Sequence, residues 1–165
     1  MFDLKPIYPE AIPRALEKAE RYRLLGEPEE AESICLDILA VDSDNESAIV
    51  TLLLALTDQF HTDCSETLAR AQALLPRLSG EYERRYYAGL ICERRGHAQL
   101  DKGALGCKNV AYNWLRQALD WYEQAEAIRP SHNDDAILRW NTCVRVMQKH
   151  QLAPPVETLE PLLLE

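Results

Sequence analysis

The sequence predicts an all-α protein built as an array of antiparallel helix hairpins, about three of them followed by a capping helix. Apolar residues recur every three or four positions along nearly the whole chain, and no β-branched run alternates strictly with polar residues. Glycine and proline fall together at Gly26 and Pro28, where one helix must stop and another begin. A shift of 34 residues carries Ala15, Ala19 and Tyr22 onto Ile49, Leu53 and Leu56, so one buried face recurs along the chain.

The first helix is expected from about Glu10 to Leu25, with Ile12, Ala15, Ala19 and Tyr22 on its buried face. Gly26 suits a left-handed cap, and Pro28 suits the first turn of the next helix, about Pro28 to Ala40. Glu27, Glu29 and Glu30 favour the positive end of that helix's dipole, and its core face is Ala31, Ile34, Cys35, Ile38 and Leu39. "VDSDNES" is a turn whose Asp44 or Asn45 caps a third helix through "SAIVTLLLALTDQF". A fourth helix is expected over about Ser65 to Leu78, and a fifth from Glu81 through "YERRYYAGLICERRG". "GHAQLDKGALGCKN" reads as a glycine-punctuated break, with either a loop around Gly103 to Asn109 or lengthened helices. A long helix over "VAYNWLRQALDWYEQAEAI" follows, then the turn "RPSHNDD" and a last amphipathic helix, "AILRWNTCVRVMQKH". The hairpins therefore span about 10–41, 45–78 and 81–129, with a capping helix over 133–150 and a tail over 151–165, all in one domain.

In "AERYRLLGEPEEAESICLDILAVDSDN", Ala19, Tyr22, Gly26 and Ala31 stand at family-like intervals, and Ala118, Tyr122, Ala125 and Pro130 do so in "ALDWYEQAEAIRP". On these residues the chain resembles the tetratricopeptide repeat family, in particular its small cytoplasmic members of bacterial type, over roughly residues 10–150. Gly89 and Gly96 fit the helix before the third hairpin's second helix; the second hairpin lacks its small-residue marker, and Cys35 replaces a usual aromatic. The resemblance implies a right-handed superhelix whose concave groove, lined by the first helix of each hairpin, binds a peptide or protein segment. Carried over by position, the groove residues are Leu16, Glu20 and Arg23, then Val50, Leu54 and Asp58, then Tyr86, Leu90, Glu93 and Arg94. Leu54 and Leu90 fit packing between helices equally well. Chaperone-binding members clamp a terminal carboxylate with lysines and asparagines where this chain has Leu16 and Glu20, which argues against such a ligand.

Composition narrows the function further. With 27 acidic and 18 basic residues the net charge is −9, which disfavours nucleic acid and anionic membranes and favours basic or mixed-charge protein partners. "MFDLKPIYPEAIP" lacks the apolar core of a secretory signal, and "AIVTLLLAL" is closed off by Asp58 and Gln59, so the expectation is a soluble, cytoplasmic protein. Five scattered cysteines suit a reducing compartment, with Cys35 and Cys143 in the core. No enzyme, metal or cofactor is expected. The acids of "EPEE" and "HNDD" are explained by helix ends, His61 and Cys64 (with His97 and Cys107) lack a completing metal pair, and "GALG" has no phosphate-binding context. Tyr112, Trp114, Trp121 and Tyr122 wrap around a sandwiched helix and read as core packing.

The expected function is therefore a protein interaction module or scaffold, with a dedicated chaperone for a secreted or assembling client as the alternative. Leu159, Leu162, Leu163 and Leu164 of the tail suggest a lid over the helix carrying Trp140, or a clasp between two copies in a homodimer.

Overall fold

In the computed structural model the described residues are 2–61 and 65–154. They form seven α-helices and no strand: α1 Ile12–Leu24, α2 Pro28–Val41, α3 Glu46–Asp58, α4 Ser65–Leu74, α5 Glu81–Lys102, α6 Cys107–Glu126 and α7 Asp135–His150. Single 3₁₀ turns, Pro9–Ala11 and Leu75–Arg77, precede α1 and follow α4.

Local chemistry sets the first reversal. Gly26 takes φ +77°, while the Glu27 amide donates to the Tyr22 carbonyl at 2.9 Å and the Gly26 amide to that of Arg23 at 3.0 Å. These two bonds are those of a Schellman closure, which satisfies carbonyls orphaned at the helix end. Pro28 then opens α2, where its missing N–H has no ladder to break. Asn45, one of the two caps foreseen for α3, accepts from the Ala48 amide at 3.0 Å.

Each helix packs against the next in sequence, and the odd-numbered helices also touch in succession, α1 with α3, α3 with α5 and α5 with α7. The core falls into two main clusters. One joins α1 to α5 through Ala19, Ala31, Cys35, Ile49, Leu53, Leu56, Phe60, Ala71, Ile91 and Ala98. The other joins α5 to α7 through Tyr82, Cys92, Leu115, Ala118, Tyr122, Ala125, Ala136 and Cys143. The face that recurs at 34 residues is buried where expected, with Ile49 and Leu56 at 1% and Leu53 at 0% exposure.

One open alternative is decided and one expectation is corrected. The helices are lengthened, since α5 runs past Gly96 to Lys102 over about 33 Å. Its glycine serves space, not backbone freedom: a Cβ there would stand 2.9 Å from Leu115 Cγ. Gly89 is equally confined, 2.7 Å from the Tyr122 ring, so these two residues let α6 approach α5 closely. The break falls instead at 103–106, and the helices on both sides are long. Trp121, expected in the core, is 37% exposed beside Leu75, Pro76 and Ala88.

Cys35 and Cys143 are fully buried, as read from the sequence. The tail beyond residue 154 and its leucines lie outside the described residues, as does Cys64.

Gly26 and Ala118 separate two ways of losing stability. Gly26→Ala meets no atom within 4 Å, so its expected loss of about 1 kcal/mol comes from the left-handed backbone alone. Ala118 is fully buried, and Ala118→Leu is expected to lose about 1 to 3 kcal/mol by overpacking. Thermal melts measure both; an unchanged melting temperature for Ala118→Leu would show that the α5–α6 contact yields to a larger side chain.

Candidate functional site

The positions carried over as a groove lie on α1, α3 and α5. Helical periodicity places residues 46, 50, 54 and 58 along one stripe of α3, with 20 and 23 on α1 and 83, 87, 90 and 94 on α5. The structure brings three of the expected residues into direct contact. Arg23 Nε donates to Asp58 Oδ2 at 2.8 Å, and Arg94 Nη1 donates to Asp58 Oδ1 at 3.1 Å. One carboxylate thus ties α1 to α3 and α3 to α5. All three side chains are partly shielded, with Asp58 at 20% exposure, so the pairs are screened less than fully exposed ones.

Others of the set sit differently. Glu20 is exposed, whereas Leu16, Val50 and Leu54 are half-buried and pack on the cores behind them. Leu90 and Glu93, expected in the groove, are only 3% and 1% exposed and offer no surface to a partner. Tyr86 is half-buried among rings, with its centroid 5.9 Å from those of both Tyr82 and Tyr122 and 5.1 Å from that of Tyr87. It belongs more to the α5–α7 core than to an open groove.

Glu93 has an inward role that spacing alone concealed. The Tyr122 hydroxyl donates to Glu93 Oε2 at 2.6 Å, and Arg139 Nε lies 3.3 Å from the same oxygen as a charge contact without hydrogen-bond alignment. A buried carboxylate is tolerable only with such partners. Burial, reinforced by the Glu93 carboxylate, pushes the Tyr122 hydroxyl far above its ordinary pKa, which keeps it a donor. His97, one turn further along α5, has a buried Nε2 without a partner. Its pKa is lowered, chiefly by burial, with Glu93 opposing the shift and Arg94 and Arg139 reinforcing it.

Sequence reasoning missed a cleft at the other end of the same face. It has a volume of about 390 Å³ and is lined by Glu20 of α1, Glu46, Ser47, Val50 and Thr51 of α3, Ser79 of the turn before α5, and Glu83 and Tyr87 of α5. Glu46 accepts from the Ser79 hydroxyl at 2.9 Å. Burial, with Tyr86 and Glu83 adding to it, pushes the Tyr87 hydroxyl up to about 12, so it stays protonated. The signal was available: Glu46 stands four residues before Val50, and Glu83 seven before Leu90, on stripes already identified.

Cys35 and Cys92 are buried, their thiols pushed up to about 12 and about 11 by burial, away from the thiolate that reacts. Among the described residues no group of three or more His, Cys, Asp or Glu is placed to hold a metal ion, and no helix is long and apolar enough to cross a membrane. The Asn133 side chain closes the "HNDD" turn by accepting from the Asp135 amide at 2.9 Å. The chain matches no protein-family model, no curated protein and no solved structure.

Tyr122→Phe removes one of the two groups that hold Glu93 and is expected to lose about 1 to 3 kcal/mol, read as a lower urea midpoint at neutral pH. An unchanged midpoint would mean that Arg139 alone satisfies the carboxylate.

A pH test follows from His97. Because its folded pKa lies below 6.5, the unfolded chain binds the proton first, so His97 contributes stability above pH 6.5 that is lost as pH falls through the folded value. His97→Gln should therefore lose less melting temperature than wild type between pH 7.5 and pH 5. Parallel losses would place the pH dependence elsewhere.

Proposed function

We propose that the chain is a protein interaction module, a tetratricopeptide-like array of three hairpins closed by α7, which binds a peptide or protein segment along the face of α1, α3 and α5. The observation that carries this reading is the serial contact of the odd-numbered helices, joined across their surface by Arg23, Asp58 and Arg94. A face built from three helices in register offers an extended, pre-formed surface, so little ordering entropy opposes binding. Ala19, Ala31, Ala118 and Ala125, the small residues behind the family resemblance, are all fully buried, as close hairpin packing requires. Free buried thiols and an acidic balance fit a cytoplasmic setting and a basic or mixed-charge partner.

Site-specific photo-crosslinking in the native cell tests this. A benzophenone amino acid at Glu20 or Val50 is expected to trap a discrete partner, whereas the same group at Glu123, exposed on α6, traps none. Equal capture from both sides of the molecule would overturn the reading. One abundant client held in near-equal amount would identify a dedicated chaperone, and several partners an adaptor.

A further inference from the structure

The cleft at the start of α3 and α5 gathers three carboxylates from three elements that are far apart in sequence. Glu20 comes from α1, Glu46 from the first turn of α3 and Glu83 from the first turn of α5, and no Lys, Arg or His lines the space between them. Among the described residues none of the three is in an ion pair, although nine other such contacts form elsewhere in the chain. Helix dipoles account for acids at two of these places, since α3 and α5 both begin here. They do not account for Glu20, which stands in the middle of α1.

A second feature of the cleft is independent of charge. Thr51 lines it at 5% exposure, and its side chain makes no hydrogen bond within the described chain. Other helical threonines, Thr57 and Thr142, donate back to carbonyls of their own helices. Thr51 is thus an almost wholly buried residue that lines the cleft and has no hydrogen bond to the described chain, so its hydroxyl can take a donor or acceptor that an occupant brings. Val50 adds an apolar patch and Tyr87 a protonated hydroxyl with an apolar ring. An aliphatic stem ending in a cation fits this lining: methylenes against Val50 and the Tyr87 ring, the head among the carboxylates and hydroxyls.

We propose that this cleft is the subsite for an arginine or lysine side chain of the bound segment. The assignment rests on the interaction-module reading and narrows it: the partner presents a basic residue at the end of the face where α3 and α5 begin. Charge complementarity selects this occupant, since a carboxylate or phosphate would meet three acids that have no ion-pair partner among the described residues, although Glu46 accepts from Ser79.

The experiment uses the full chain and two terminally blocked heptapeptides of identical apolar and small residues, one with a central arginine and one with citrulline, its uncharged near-isostere. Amide chemical shifts are followed during titration. The arginine peptide is expected to move the amides of Val50, Thr51, Glu83 and Tyr87 with saturation, and the citrulline peptide to bind about tenfold more weakly or worse. Glu20→Gln with Glu83→Gln should remove that preference with at most a small drop in melting temperature, because the relief of repulsion among the acids offsets the loss of the Glu83 charge from the positive end of α5. Equal response to the two peptides, shifts confined to other faces, or no shift from either would each overturn the subsite. Position-specific crosslinking at Val50 without a preference for arginine would overturn the subsite alone; loss of that crosslinking would overturn the interaction reading itself.

Discussion

The fold depends on α5 being buried along two sides at once. Ile91 and Ala98 complete the core shared with α1 to α4, while Tyr82 and Cys92 complete the one shared with α6 and α7. A helix in that position has little exposed surface to spare, and the sequence answers with glycines at 89 and 96 where α6 presses closest. Most helices would lose about 1 kcal/mol for each such glycine, but here a methyl group would strike the Tyr122 ring or Leu115. Close approach is what allows the Tyr122 hydroxyl to reach Glu93 at 2.6 Å, so the steric constraint and the buried polar bond belong to one arrangement.

That buried bond has a directional consequence. An apolar contact between α5 and α6 could slide by a turn at modest loss, whereas Glu93 must find Tyr122 on α6 and Arg139 on α7 together or remain an unpaired buried charge. The triad thus fixes the register of three helices. On the other flank of α5, Asp58 plays a milder version of the same role between Arg23 and Arg94, nearer the surface and under more solvent screening. The face of α1, α3 and α5 therefore rests on helices whose relative positions are fixed by hydrogen-bonded charges on both sides of α5.

Legibility in the sequence followed the range of the cause. The Gly26 reversal, the Asn45 cap and the repeating buried face of α1 and α3 depend on neighbours within a turn or on simple periodicity, and all were readable. Gly96 misled because a glycine that ends a helix and a glycine that admits another helix look alike until the partner, Leu115, is in place. Glu93 misled for a related reason: it shares a stripe with surface residues, and only the arrival of Tyr122 and Arg139 from other helices turns it inward. Trp121 shows the converse, an aromatic on a well-packed helix that the described residues leave 37% exposed. For the site, the stripes were legible, but the cleft was not, since a cleft is a property of three elements meeting.

The charges along the face of α1, α3 and α5 are not evenly spread, and their order matters more than their sum. Along α3 the stripe runs from Glu46 to Asp58, twelve residues or about 18 Å of helix. At its start stand Glu46, Glu20 and Glu83 without countercharge; at its end two guanidiniums share a single carboxylate. The acidic end attracts cations, whereas at the far end Asp58, with Glu29 lining the recess beside Arg23, balances the two guanidiniums. A uniformly basic segment would be drawn to one end alone, whereas a segment that is basic at one end and neutral at the other would match the potential along the whole face. Polarity of this kind distinguishes the two directions in which a chain can lie on a helical surface, a discrimination that net charge alone cannot provide. The overall charge of −9 biases which molecules approach any part of the surface, whereas a choice between two orientations on the proposed face could come only from the arrangement on α1, α3 and α5.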